Sequence, residues 1–293
     1  MSGAFSSKNI FGACDSHVHL FMPDIFSYSS DRRYTPASAT LIDLAAHNEM
    51  LGVTHNVLVQ PSCYGTDNRA LLHGLTVLGA ERARGVVVID VDNVTDEEMR
   101  ALHLKGVRGI RLNLAVSGQG DIARIRAEME RAAERIGPLG WHMQIFASPT
   151  QLALLLPIIR DSKVPVVLDH FAGAAALADQ ISALLHRSDI WIKLSAPGRV
   201  SAASGYADLA GVVKGFISAA PDRLIWASDW PHTGGQGRRS GSISDIEPFA
   251  TVDDRQDLQR LACWIDDDDL FRRILTTNAY ALYNFETEKK AES

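Results

Sequence analysis

The chain has 293 residues, of which 46% are hydrophobic and 22% charged, and its formal net charge is -6. These values are ordinary for a globular protein, so they exclude a disordered chain and argue against non-specific binding to nucleic acid or anionic lipid. An anionic ligand would have to be bound by arginines placed at its site.

The chain carries no sequence feature of a secreted or membrane protein. Its first twelve residues hold one lysine and no continuous apolar stretch, so no secretory signal is expected. No apolar run is long enough to cross a bilayer. Cys14, Cys63 and Cys263 lack a CxxC spacing, which favours reduced, structural thiols. We therefore expect a cytoplasmic protein without nucleic-acid or membrane partners, and no long apolar stripe indicates an oligomeric state.

Short β-branched runs alternate with helical patterns from one end of the chain to the other, the sequence form of repeated βα units. Two capping boxes, Thr95 with Glu98 and Ser148 with Gln151, predict helix starts. No composition break divides the chain, so we expect a single (β/α)8 TIM-barrel domain over 1–293, with an open doubly wound sheet as the alternative. The eight predicted strands lie near residues 12–20, 54–61, 85–90, 107–114, 142–147, 164–170, 189–195 and 222–229.

Nucleotide-binding signatures are missing. The first strand runs into His17-Val18-His19-Leu20-Phe21, which offers no glycine to admit a pyrophosphate, and the chain has no Walker A loop. The Gly/Ser/Arg-rich stretch 233–242 follows the last strand and is the best candidate for a mobile loop over the site.

Polar residues that end the predicted strands indicate where the chemistry lies, because catalytic groups of TIM barrels project from the carboxyl ends of strands. His17 and His19 end the first strand and, two residues apart, point to the same side. His170 ends the sixth strand and Asp229 the eighth. We therefore expect three imidazoles and one carboxylate to converge. The other histidines are interpreted as structural or solvated: His47, His55, His73, His103, His142 and His186.

This ordered set resembles the amidohydrolase superfamily, and most closely its lactone-hydrolysing branch of the 2-pyrone-4,6-dicarboxylate type. The resemblance implies a distorted barrel and a hydrolase that opens a carboxylated lactone, in the degradation of aromatic compounds. The stretches that carry it are residues 15–21, 33–36, 56–68, 108–113, 169–170 and 228–232.

The resemblance also implies a mechanism without a metal. His17, His19 and His170 would polarise the lactone carbonyl, and Asp229 would act as general base on water. Zinc remains possible, and if it were bound its ligands would be these same four residues. However, strands four and five, which often supply a bridging Lys or Glu and a His ligand in this superfamily, end here in Arg111-Leu112-Asn113 and Gln144-Ile145-Phe146.

An anionic substrate is predicted from arginines at the strand ends. Arg111 follows strand four and Arg199 follows strand seven, and the planar guanidinium suits a carboxylate. Arg33 is a further possible contact, and the arginine that follows the sixth-strand histidine in the dicarboxylate lactonases is missing from His170-Phe171-Ala172. The complete set of predicted substrate-binding residues is Tyr34, Ser62, Tyr64, Asn68, Arg111, Gln144, Arg199 and His232.

Three alternatives remain at this point. A sugar-acid lactone isomerase would use the same carbonyl activation on the same scaffold. A zinc-dependent decarboxylase of the superfamily would need a histidine on strand five, where this chain has Gln144. A barrel kept only as a binding module would require the strand-end polar set to be accidental, although buried polar groups without a role are costly.

Overall fold

The computed structural model describes residues 12–114, 121–173, 175–186, 189–234 and 242–286. Eight parallel strands, each hydrogen-bonded to the next in chain order, form a barrel. The last strand meets the first where the His19 amide donates to the Trp230 carbonyl at 2.9 Å and the Asp229 amide donates to the His17 carbonyl at 3.1 Å. The predicted (β/α)8 TIM barrel is confirmed. The strands are β1 (Cys14–Val18), β2 (His55–Val59), β3 (Ala83–Val87), β4 (Val107–Asn113), β5 (His142–Phe146), β6 (Val166–Leu168), β7 (Ile190–Ser195) and β8 (Leu224–Ala227).

Helices pack on the outside of this barrel, and their starts follow the local sequence. The two predicted capping boxes, at Thr95 and Ser148, are both present, and a third forms between Thr40 and Asp43. The helices of the described ranges are α1 (Leu41–Leu51), α2 (Arg69–Leu78), α3 (Asp96–Leu104), α4 (Ile122–Ile136), α5 (Pro149–Arg160), α6 (Ala178–Leu185), α7 (Leu209–Ala219), α8 (Asp254–Ile265), α9 (Asp268–Leu275) and α10 (Thr277–Tyr283). None of them is both long and apolar enough to cross a bilayer.

Residues 283–285 close the amino-terminal opening of the barrel. Tyr283 is fully buried among the inward-facing residues of the strands. Arg84, near the start of β3, donates to the carbonyl oxygens of Tyr283 and Asn284 and lies over the Phe285 ring. The opposite, carboxyl-terminal opening, here called the mouth, is therefore the place where a substrate can enter.

Loops cover part of the mouth. Residues Thr35–Pro36, after β1, pair in parallel with Ile246–Glu247, after β8. Most of the predicted mobile loop, residues 235–241 of the stretch 233–242, lies outside the described residues.

Candidate active site

The four residues predicted to carry the chemistry come together at the mouth. His17, His19, His170 and Asp229 are all at most 4% exposed. The Nε2 atoms of His17 and His19 are 3.2 Å apart. Asp229 Oδ1 lies 3.7, 3.8 and 4.0 Å from the Nε2 atoms of His17, His19 and His170. Three imidazoles and one carboxylate oxygen thus face one small space.

Each imidazole is held in place through its other ring nitrogen. His19 Nδ1 is 2.7 Å from the Val59 carbonyl oxygen, and His170 Nδ1 is 2.9 Å from Ser195 Oγ. His17 Nδ1 lies 3.3 Å from Lys193 Nζ and 3.3 Å from Asp169 Oδ1. These contacts fix the ring planes and direct all three Nε2 atoms inwards.

Two of the four residues stand beyond their strands and in a strained backbone conformation. The predicted strands 164–170 and 222–229 are two residues too long at their carboxyl ends, since β6 stops at Leu168 and β8 at Ala227. His170 has a φ of 50° and Asp229 a φ of 71°. Positive φ costs of the order of 1 kcal/mol or more for such residues and concentrates at functional sites.

The three imidazoles are neutral near pH 7. Burial lowers the pKa of His19 to about 3 and that of His170 to about 4. Burial, and next the ammonium of Lys193, hold the pKa of His17 well below its ordinary value. A neutral imidazole can donate through one nitrogen and accept through the other, which is what carbonyl polarisation and proton handling require.

These shifts predict that the protein loses stability in mild acid. Burial lowers the pKa of His19 and His142 to about 3 and of His170 to about 4, against an ordinary value of 6.5. Between about pH 6.5 and 4 the unfolded chain therefore binds more protons than the folded chain, and the free energy of unfolding falls as pH falls. Thermal unfolding should give a lower Tm at about pH 5 than at about pH 7, whereas an unchanged or higher Tm would contradict these neutral, buried rings.

Asp229 is paired with Arg199. The Nε of Arg199 donates to Asp229 Oδ2 at 2.6 Å, and a terminal nitrogen of the same guanidinium donates to the Thr233 carbonyl at 2.7 Å. Burial alone would raise the pKa of Asp229, but Arg199 and the three imidazoles outweigh burial and hold it far below its ordinary value. Asp229 is therefore ionised, with Oδ1 directed towards the imidazoles.

A buried charged layer lies beneath the imidazoles, and of its four residues the sequence analysis missed Lys193 and Asp169. Lys193 is fully buried, and its Nζ donates to Gln144 Oε1 at 2.8 Å. Gln144 Nε2 donates to Asp169 Oδ2 at 3.1 Å, and Arg111 lies 3.5 Å from the same oxygen. Burial lowers the pKa of Lys193 to about 8, although Asp169 opposes the shift. A lysine in the otherwise apolar run Ile190-Trp191-Ile192-Lys193-Leu194 was the available signal.

Some predicted substrate-binding residues lie at the mouth. Arg111 and Gln144 belong to the buried layer, and Arg199 holds Asp229. Tyr34 is buried and close enough to Arg199 to affect the pKa of its guanidinium. Ser62 begins a short turn and is half-buried.

Three others make hydrogen bonds within the fold, and their contact with a substrate stays a prediction. The Tyr64 hydroxyl accepts from the Met22 amide at 2.9 Å, so it fixes the loop after β1. The Asn68 side chain donates to the carbonyls of Thr66 and Val88 and accepts from the Val88 amide, which joins the loops after β2 and β3. His232 Nε2 lies 2.8 Å from Asp254 Oδ2 and so fastens the loop after β8 to α8.

The remaining histidines and the cysteines lie outside this cluster. His47 is buried 3.8 Å from Asp15 Oδ2, and His103 accepts from the Trp141 indole. The ring of His142, the first residue of β5, packs against Gly109 of β4. A Cβ at position 109 would come 2.4 Å from this ring, so the close packing needs glycine there. Cys14 and Cys63 are buried and Cys263 is exposed, and all three are free thiols.

The cluster satisfies the spacing that a metal ion needs but not the charge balance. Three imidazole nitrogens and a carboxylate are ligand types that zinc accepts, and His17, His19 and Asp229 lie close enough to share one ion. Yet the carboxylates of Asp169 and Asp229 already face three cations, Lys193, Arg111 and Arg199. A divalent cation would leave a large uncompensated positive charge in a buried site, which is costly.

Comparison with known proteins agrees with the fold and shows the family. The model of the Amidohydrolase family matches residues 14–285, and the chain belongs to that family. It is an enzyme of the amidohydrolase type. A 2-pyrone-4,6-dicarboxylate hydrolase of Comamonas testosteroni is 32% identical over 239 residues, which cover 75% of this chain and 77% of that protein.

Further relatives cover nearly the whole chain. A 4-sulfomuconolactone hydrolase of Rhizobium radiobacter is 32% identical over 93% of this chain and 90% of its own length. The crystal structure of a proposed 2-pyrone-4,6-dicarboxylic acid hydrolase from Pseudomonas putida superposes with a TM-score of 0.78 at 29% identity, covering 95% of this chain and 99% of that one. A similar protein from Acinetobacter baumannii, with citric acid bound, gives a TM-score of 0.75 at 25% identity, covering 94% and 100%.

Proposed function

We propose that this protein hydrolyses a small anionic lactone to the open-chain acid. The observation that carries the proposal is the convergence of three neutral imidazoles on the free oxygen of an ionised Asp229, with two arginines beside them. The relatives named as 2-pyrone-4,6-dicarboxylate and 4-sulfomuconolactone hydrolases support it, because both names describe anionic lactones.

In the proposed reaction, water adds to the lactone carbonyl carbon while Asp229 Oδ1 takes the proton of that water. The carbonyl oxygen gains negative charge, which hydrogen bonds from those imidazoles that carry their proton on Nε2 stabilise. The bond from the carbonyl carbon to the ring oxygen then breaks, and the proton held by Asp229 passes to the departing oxygen. One water is consumed, and a carboxylic acid and a hydroxyl or enol group are formed.

Arg199 connects substrate charge to this step. It holds Asp229 ionised. The carboxylate is therefore a weak base as long as the Arg199 guanidinium pairs with no second anion. An anionic substituent of the substrate that shares Arg199 would weaken this hold and raise the basicity of Asp229. The arrangement therefore favours anionic over neutral lactones in the chemical step as well as in binding.

Arg111 is the second proposed contact of the substrate anion. It is 6% exposed, and its Nε is buried without a hydrogen-bond partner. The citric acid bound by the Acinetobacter relative is also a carboxylated ligand. In the place of the arginine expected after the sixth-strand histidine, Phe171 and Ala172 are buried and apolar. We therefore propose a lactone with one strongly anionic group, a carboxylate or a sulfonate.

We also propose that the reaction needs no metal ion. The charge balance of the cluster supports this, since its two carboxylates are already neutralised by lysine and arginine. If an ion did bind, His17, His19, His170 and Asp229 would hold it, and it would polarise the carbonyl in their place.

The alternative reactions are less well supported. A D-galactarolactone isomerase of Agrobacterium fabrum is 25% identical over 95% of this chain and 93% of its own length, a lower identity than the two hydrolases. For a zinc-dependent decarboxylase, the strand-five position is occupied by Gln144, whose amide is engaged by Lys193 and Asp169.

Isotope-labelled water distinguishes hydrolysis from isomerisation. Hydrolysis of an anionic lactone in ¹⁸O-water should place one ¹⁸O atom in the carboxylate of the product. Mass spectrometry of the reaction mixture, with no acid added to it, would measure the label. The matched control is Asp229→Asn, which should give no labelled acid above the spontaneous rate. A ring-isomerised product without ¹⁸O would contradict the proposal.

A further inference from the structure

Lys193 is a buried cation that the proposed reaction does not use directly. Its side chain is fully buried inside the barrel, and Nζ lies 2.8 Å from Gln144 Oε1, 3.3 Å from His17 Nδ1 and 3.7 Å from Asp169 Oδ1. A buried ion pair of this kind contributes little net stability compared with apolar packing. Its position under His17 therefore suggests a role in the site.

The protonation of His19 is fixed by its backbone partner. A carbonyl oxygen can only accept, so the 2.7 Å contact between His19 Nδ1 and the Val59 carbonyl places the proton of His19 on Nδ1. In the neutral ring Nε2 then carries a lone pair. The contact of 3.2 Å between the two Nε2 atoms can be a hydrogen bond only if His17 donates it.

Two neighbours compete for His17 Nδ1, each 3.3 Å away. Lys193 Nζ can only donate and requires a lone pair on Nδ1, whereas Asp169 Oδ1 can only accept and would require a proton there. The contact with His19 agrees with the first arrangement, which leaves the proton of His17 on Nε2. Gln144 holds the ammonium in place, because its amide oxygen accepts from Lys193 while its amide nitrogen donates to Asp169. The hydrogen bonds from Lys193 through His17 and His19 to the Val59 carbonyl thus run in one direction.

We propose that Lys193 is a positioning residue that holds His17 in the tautomer protonated on Nε2, so that His17 donates a hydrogen bond into the site instead of binding a metal ion there. In the opposite tautomer His17 would donate from Nδ1 to Asp169, 3.3 Å away. The Nε2 lone pairs of His17 and His19 would then face each other at 3.2 Å, which is unfavourable unless a cation lies between them. The charge on Lys193 thus decides whether the cluster presents a hydrogen-bond donor on His17 Nε2 or two lone pairs that would bind a cation.

The inference rests on the proposed function for its effect on rate, but its structural readout is independent of any substrate. In ¹⁵N-histidine-labelled protein, NMR should show His17 protonated on Nε2, with its signals assigned by their loss in His17→Asn. Lys193→Met keeps the unbranched shape of the side chain, one atom shorter, and removes its charge and donors. This variant should shift His17 towards the Nδ1-protonated form, and its affinity for added Zn²⁺ should rise about tenfold or more.

The matched control is Lys214→Met, at an exposed position of α7, which should change neither the tautomer nor zinc binding. With a substrate in hand, Lys193→Met should lower kcat about a hundredfold with little change in KM, because one oxyanion donor is lost. A wild-type His17 protonated on Nδ1 would overturn the proposal even if Lys193→Met did not fold. A folded Lys193→Met with an unchanged tautomer would overturn it too. Failure of the wild type on every lactone would instead refute the proposed function and leave the tautomer measurement valid.

Discussion

Asp229→Asn is expected to lower kcat for lactone hydrolysis about a thousandfold, because the variant keeps the shape of the side chain and removes the group that takes the proton of water. Asp229 Oδ1 is the oxygen that faces His17, His19 and His170, whereas Oδ2 is held by Arg199. Steady-state kinetics on the lactone that the wild type hydrolyses best would measure the change.

The design of this variant separates chemistry from folding. Asn tolerates positive φ as well as Asp does, so the φ of 71° at position 229 should be kept. Asp222→Asn, at an exposed position before β8, is the matched control and should have wild-type activity. If Asp229→Asn kept activity within about threefold of the wild type, Asp229 could not be the general base.

Arg111→Met is expected to raise the KM of an anionic lactone about fiftyfold while changing that of a neutral lactone less than about threefold. A charge-assisted hydrogen bond contributes about 1.5–3 kcal/mol, and methionine retains much of the apolar volume of the arginine stem. The guanidinium lies in the buried layer, 3.5 Å from Asp169, with its Nε buried and unpartnered. Initial-rate measurements on paired anionic and neutral lactones would give both values.

Arg108→Met supplies the control for that experiment. Arg108 is on the same strand, β4, but donates to the backbone carbonyls of His103 and Val107 rather than to the site. Its replacement should leave the preference for an anionic substrate intact. Equal losses on anionic and neutral lactones in Arg111→Met would show that Arg111 supports the barrel instead of binding the substrate anion.

The sequence predicted those features that depend on local pattern. Apolar runs covered on both faces located eight strands, and the alternation of strand side chains placed His17 and His19 on the same side. His170 and Asp229 were placed at the ends of later strands. In a closed barrel the carboxyl ends of all strands meet at one opening, so these two residues had to lie close to His17 and His19. The hydrolase interpretation of the site residues came from the resemblance of the motifs to a family.

Features that depend on long-range pairing could not be predicted. Lys193 and Gln144 lie on β7 and β5, and Asp169 directly follows β6. Nothing local to any of them indicates that they share a hydrogen-bond network. Asn68 is suited equally to a turn and to a substrate, and its hydrogen bonds with Val88 in the next loop have no signal in the local sequence. Strand ends were overestimated because Asp and His occur in extended strands as well as in the left-handed conformation, so the sequence did not mark the turn at His170 and Asp229.

The most direct test of the central claim is acid release by chelator-treated wild-type protein from a panel of pyrone dicarboxylates, muconolactones and aldonolactones, followed with a pH indicator. We predict that the metal-depleted protein releases acid from at least one anionic lactone and that added Zn²⁺ does not increase the rate. Acid release that appeared only after Zn²⁺ was restored would contradict the metal-free mechanism, and no release with or without Zn²⁺ would contradict lactone hydrolysis itself.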